Sequence, residues 1–233
     1  MTVYGGPDII TDGLVLHLDA ANRKSYPGSG STWYDLSGNG NNCTLYNSPS
    51  FLNDNIGCLD FDGSNDYGSI TRNNSLSPIS GLTEEVFINL DANGGVYIGL
   101  QYGTSSLNSY ALWYDGNSWN GLIRNSSGMQ VIQYDIVPSL NIWYHLVHTY
   151  DGSNQKIYVN GDLKKTITTT GSITYDAGNT EITINADNNG SGYNTGKAGF
   201  LNGSMSMARI YNRGLLANEV RQNFNATKGR YGL

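Results

Sequence analysis

Asn141-Ile-Trp-Tyr-His-Leu-Val-His-Thr-Tyr150-Asp-Gly152, followed after a short polar gap by Lys156-Ile-Tyr-Val-Asn160-Gly-Asp-Leu-Lys-Lys-Thr166, is the stretch that decides the fold. Residues 142–150 are dense in β-branched and aromatic side chains and stop at the turn pair Asp151-Gly152, which predicts a central strand. From Lys156 to Asn160, Ile157 and Val159 alternate with Lys156, Tyr158 and Asn160, the period of a strand with one face on a core and the other on water. Asn160-Gly161 can supply the two positive φ values of a type I′ turn, returning the chain through residues 163–168 as a hairpin.

Outward from this hairpin the same grammar repeats. Strands are predicted at residues 13–18, 43–47, 57–61, 67–71 and 82–90, and again at 180–185, with two strand pieces in 200–211. An aromatic meander at 95–102, 109–114, 119–124 and 129–136 reads as one sheet. Residues 1–12 read as an arm preceding the fold, and 20–40 as a long connection anchored by Trp33-Tyr34. Near the end, Leu216, Val220 and Phe224 recur every four residues, predicting an amphipathic helix over 215–226 that docks on the sheets, with a short tail at 227–233.

The chain has 233 residues, 30 of them glycine, and only 14% are charged, which fits many short strands and tight turns in one all-β domain. A formal charge of −6 without clustered Lys or Arg argues against a nucleic-acid partner. No apolar run approaches membrane-spanning length, and the N-terminus has no basic start or apolar stretch of a signal peptide. A chain kept in the cytoplasm, or exported without such a signal, is the expectation. Cys43 and Cys58 both fall in predicted strands, where they could face one another or remain as reduced buried thiols.

Trp-x-His, a strand, Asp-Gly and a second strand ending Tyr-Val-Asn-Gly resemble the middle of a laminin-G or concanavalin-A-like lectin domain. The resemblance extends to Gly13-Leu-Val-Leu-His-Leu-Asp-Ala, Trp33-Tyr-Asp-Leu-Ser-Gly-Asn-Gly-Asn, Leu59-Asp-Phe-Asp-Gly, Phe200-Leu-Asn-Gly and Arg209-Ile-Tyr-Asn-Arg. It implies a two-sheet antiparallel jelly-roll sandwich over residues 13–226, usually binding glycans or proteins and usually without catalysis. Relatives begin the last helix with a Ser cap, where this chain has Leu216, a loss worth about 1 kcal/mol. The two ends, including Ser25-Tyr-Pro-Gly-Ser-Gly30 and Asn223-Phe-Asn-Ala-Thr-Lys-Gly-Arg-Tyr, resemble lectin-like domains of tailed-bacteriophage virion proteins. That resemblance implies a capsid decoration or tail appendage on the virion surface, assembled in the host cytoplasm, oligomeric and in contact with other virion proteins. A free bacterial lectin is the alternative, and a glycoside hydrolase or lyase a distant third.

Chemistry-bearing residues are few. Glycan cleavage needs two carboxylates converging on one bond, but the four glutamates are Glu84, Glu85, Glu181 and Glu219, and adjacent Glu84 and Glu85 must point to opposite faces of a strand. His145 and His148 likewise fall on opposite faces and cannot share a metal. No catalytic set, and no required cofactor, is read. Calcium is the one metal the acidic turns could take, at Asp60, Asp62 and Asp66, which are equally ordinary hairpin residues, or at Asp187 in the polar loop Asp187-Asn188-Asn189. Sugar stacking would use Tyr97, Tyr102, Trp113, Tyr114 and Trp119 of the meander, although such side chains also fill sandwich cores.

Overall fold

Short apolar-alternating runs separated by Gly, Asn and Ser bury their faces by pairing into antiparallel sheets that pack on one another. The computed structural model, which describes residues 7–53, 56–100, 108–188 and 196–233, has that architecture. Its first strands are β1 (Leu14–Asp19), β2 (Thr32–Trp33), β3 (Cys43–Tyr46), β4 (Ser50–Leu52), β5 (Cys58–Asp62) and β6 (Tyr67–Thr71). There follow β7 (Leu82–Leu90), β8 (Gly95–Leu100), β9 (Tyr110–Tyr114), β10 (Ser118–Asn125), β11 (Gly128–Asp135) and β12 (Trp143–Tyr150). The last are β13 (Asn154–Val159), β14 (Asp162–Thr168), β15 (Glu181–Ile184), β16 (Asp187–Asn188), β17 (Lys197–Ala198) and β18 (Asn202–Tyr211), before the helix α1 (Ala217–Thr227).

One sheet runs β14-β13-β12-β7-β18-β5-β4, and β1 shares an edge of β18 with β5. The other runs β11-β10-β9-β8-β15-β6-β3-β2, and β16 and β17 form a separate ribbon. The main core, including Leu16, Trp33, Val86, Ile98, Leu112, Trp119 and Ile182, fills the space between the two sheets. The organising hairpin is as expected: β12 is buried along its whole length, and Asn160 and Gly161 have φ of 52° and 77°.

Two expectations are corrected. Residues 200–211 hold one continuous ten-residue strand, Asn202–Tyr211, in place of two pieces, and its register with β7 slips between Met205 and Met207. That bulge sends Met205 to the inter-sheet core and Met207 to the outer face, breaking the alternation that the sequence would otherwise display. The outer face of β13 is not wet either. Tyr158 is buried there against Val147, Tyr211, Leu215 and Val220, because α1 lies across this sheet.

The chain ends are tied to the same face. The Ile10 amide donates to Asn223 Oδ1 at 2.8 Å, and the Tyr211 hydroxyl donates to Ile10 O at 3.0 Å. Tyr231 stacks on Phe87 with centroids 4.4 Å apart, and Arg230 pairs with Asp19 at 2.7 Å. At the start of α1, Leu216 has the extended geometry of a cap, φ −73° and ψ 157°, but its side chain makes no capping bond. Only the reciprocal half remains, the Leu216 amide donating to Glu219 Oε2 at 2.8 Å. Cys43 and Cys58 are both buried and lie in different sheets, so they do not face one another across a ladder.

Candidate functional site

The register of β7 against β12 places Glu84 opposite His148 and Phe87 opposite His145, so the two histidines and the two adjacent glutamates divide between the sheet's faces. Inside the sandwich, Glu84 Oε2 lies 2.8 Å from His148 Nδ1, and His148 Nε2 lies 3.0 Å from Gln155 Oε1. Gln155 Nε2 donates to Gln130 O at 3.1 Å and to Thr169 Oγ1 at 3.0 Å. Because Gln130 O can only accept, the amide orientation is fixed, His148 Nε2 must carry hydrogen, and a single proton is shared between His148 Nδ1 and Glu84. Burial pushes the Glu84 carboxyl up to about 7, against the smaller opposing effect of the His148 hydrogen bond. The His148 ring lies against Gly121 of the facing sheet, where any Cβ would collide with it. This cluster is sealed from solvent.

On the outer face, Glu85 Oε1 accepts from Arg209 Nη1 at 2.9 Å and meets His145 Nε2 at 2.8 Å, while Glu85 Oε2 accepts from Asn223 Nδ2 at 2.8 Å. Burial alone would raise the Glu85 carboxyl, but the Arg209 guanidinium and these hydrogen bonds hold it at about 2. The remaining glutamates are equally committed, Glu181 to Lys197 at 3.1 Å and Glu219 to Arg213 at 2.7 Å. His17, beside Arg209, is pushed down to about 4 by burial and that charge.

The acidic turn is not the expected hairpin: it carries the chain from β5 in one sheet to β6 in the other, and its carboxylates serve the turn itself. Asp62 Oδ1 accepts from the amides of Ser64 at 2.8 Å and Asn65 at 3.1 Å, which hold its carboxyl below the usual range. Asp60 accepts from Ser204 Oγ at 3.0 Å, and Asp66 Oδ2 accepts from the Asp62 amide at 3.3 Å. Asp187, raised to about 6 by burial, sits beside Lys197. Among the described residues no three His, Cys, Asp or Glu side chains gather to hold a metal.

Of the aromatic set, Tyr97, Tyr114 and Trp119 belong to the inter-sheet core, with Trp119 edge-on to Tyr144 at 5.0 Å, and present no face to a sugar. Trp113 is half-buried, and Tyr102 lies outside the described residues. The meander's inward alternation, which the sequence leaves ambiguous, accounts for this placement.

An open site lies instead where the loops before β2 and after β3 meet. A cavity of about 420 Å³ is lined by Tyr26, Ser29, Ser31, Ser48, Pro49 and Phe51, among others, within the roughly 300–1,000 Å³ of small-molecule sites. The Tyr26 hydroxyl donates to Gly30 O at 3.0 Å, and its ring meets Phe51 at 5.3 Å. The Leu45 amide donates to Ser31 O at 2.7 Å, which ties the loop to the sheet. At the corner after β3, Asn47 and Ser48 both have positive φ, 64° and 73°, a conformation that non-glycine residues adopt at a cost and that often marks working surfaces. On the other side of the corner, Tyr46 is 43% exposed and stacks on Tyr67 at 4.7 Å. The signal available in the sequence was the alternation Cys43-Thr44-Leu45-Tyr46, which turns Tyr46 outward.

Residues 62–221 match the sequence profile of the laminin-G group in the concanavalin A-like lectin/glucanases superfamily. The chain belongs to that superfamily. Solved structures similar to this lectin-type domain include the binding domain of Paraclostridial Mosquitocidal Protein 1, at TM-score 0.69 and 18% identity, covering 92% of this chain and 52% of that one. A botulinum neurotoxin type C structure, concerned with cell entry through two ganglioside molecules, matches at TM-score 0.70 and 17% identity over 94% of this chain and 52% of its own. A botulinum neurotoxin DC binding domain in complex with SialylT matches at TM-score 0.70 and 16% identity, covering 94% of this chain and 52% of that one. The lectin-type domain thus spans about half the length of these structures, and at such identity the likeness shows the fold. No curated protein matches it in sequence.

Chemically, the lectin-type domain separates its polar groups into two kinds. The buried carboxylates and imidazoles pair with one another inside the fold, while hydroxyls, backbone groups and ring faces at residues 26–31 and 46–51 border an open cavity.

Proposed function

We propose that this domain is a non-enzymatic glycan-recognition module whose binding surface is the cavity between residues 26–31 and 48–51 with the adjoining Tyr46–Tyr67 platform. The observation that carries the reading is the cavity itself, which combines serine hydroxyls and aromatic faces, the pairing that sugars need for their hydroxyl and C–H sides. The superfamily's lectin members, and similar toxin structures concerned with ganglioside-dependent cell entry and with bound SialylT, support the same reading. The separate commitments of the four glutamates argue against the superfamily's other activity, glycan hydrolysis. Glycan-array binding by the isolated chain, weakened by Phe51→Ala, is the expected result; an array without signal would refute it.

The setting we propose is the surface of a tailed-bacteriophage particle, as a capsid decoration or tail appendage in contact with other virion proteins and further copies of this chain. This rests on the resemblance of the two ends of the sequence to such domains. Exposed Val137, Leu140 and Ile142 on the loop between β11 and β12 supply an apolar surface for such contacts. Stoichiometric recovery of the chain in purified particles supports this setting, whereas glycan binding by a chain absent from particles favours a free bacterial lectin.

A further inference from the structure

We infer that the cavity takes a sugar bearing a carboxylate, of the uronic or sialic kind, and that Arg23 selects for it; this deepens the glycan-recognition reading and rests on it. Arg23 is exposed at the cavity's edge, with its guanidinium 5.6 Å from the ring centroid of Phe51, a lining residue. Its Nη1 donates to Pro27 O, and no carboxylate among the described residues lies within ion-pair distance of it. Gly28 makes the arrangement possible, since a Cβ there would run into the guanidinium, and its φ of 103° suits glycine in any case.

The group is therefore held by one hydrogen bond and one ring face while most of its fork of N–H donors stays free. A guanidinium fixed in that way loses little freedom when it binds a planar carboxylate through two parallel hydrogen bonds. On a chain of formal charge −6, an acidic ligand is repelled by the surface as a whole, so a local cation at the cavity decides whether it can be held. Ser29, Ser31 and Ser48 then face the sugar hydroxyls, and Phe51 a ring face.

The test is calorimetric titration of the full chain with N-acetylneuraminic acid and glucuronic acid, beside the uncharged methyl ester of the first and glucose for the second, at low and high salt. The acidic sugars are expected to bind better, to lose affinity with salt, and to weaken about tenfold or more in Arg23→Gln, the loss of a charge-assisted hydrogen bond. Arg23→Lys, which keeps charge without the fork, should recover only part, and unchanged melting temperatures show that both variants fold. Equal binding of neutral and acidic sugars, or an unchanged Arg23→Gln, overturns the role of Arg23 and leaves glycan recognition standing. Failure of every sugar, charged or neutral, overturns the glycan reading itself.

Discussion

Two polar clusters lie back to back on the same pair of strands, and they solve burial in opposite ways. The Glu84–His148–Gln155 cluster shares a proton and carries no net charge, while the Glu85–Arg209–His145–Asn223 cluster is ionic and is closed by the helix. The difference follows from what each face meets. The inner one presses on the facing sheet at Gly121 and finds neutral partners in Gln155 and Thr169, and the outer one has Arg209 beside Glu85 on the neighbouring strand β18 and lies under α1. Neither cluster reaches solvent, so the polar side chains of both are spent on one another inside the fold.

The comparison can be broken from the ionic side first. Glu85→Gln strands the Arg209 charge in a buried site, and urea unfolding should show a loss of about 3–5 kcal/mol. A loss under about 1 kcal/mol would mean that the outer cluster is hydrated. Next, Gly121→Ala presses on the His148 ring and should cost about 1–3 kcal/mol by the same measurement; no cost would show that the sheets yield there.

The neutral side is tested through pH. Glu84 is raised from 4.5 to about 7, so its contribution is complete below pH 4.5 and is lost as pH rises through about 7. Glu85 is lowered from 4.5 to about 2, so its contribution is present above pH 4.5 and is lost as pH falls through about 2. Glu84→Gln, whose amide can donate to His148 Nδ1, should therefore cost less than about 1 kcal/mol at pH 5 and flatten the decline between pH 4.5 and 7. A thermal-melting profile that keeps its slope in this variant would contradict the shared proton. Smallest is Leu216→Ser, which restores the absent cap of the helix over the ionic cluster and should stabilise by about 0.5–1 kcal/mol.

Much of the scaffold was legible. Strands at 67–71 and 82–90 begin and end where alternation placed them, the Asn160-Gly161 turn has its two positive φ values, and the opposite facing of Glu84 and Glu85 follows from the two-residue period. The β18 bulge was hidden because one extra residue reverses the period at Ser206. The cover over β13 was hidden because α1 is distant in sequence, and Asn223, which links helix, sheet and arm, looks like an ordinary polar helix residue. The cavity was least legible of all. Its walls come from two loops whose separate compositions signal only turns, and their meeting depends on the pairing of β2 with β3.

Amide chemical-shift mapping during titration with an acidic sugar tests most directly where this domain works. Perturbations gathered at residues 26–31 and 46–51 and at Tyr67, with the amides around Glu84 and His148 unmoved, are the predicted result. Shifts centred on Glu84, His148 or Glu85, or none at the 26–31 and 46–51 loops, would contradict an inert polar interior beneath a recognition surface built from loops.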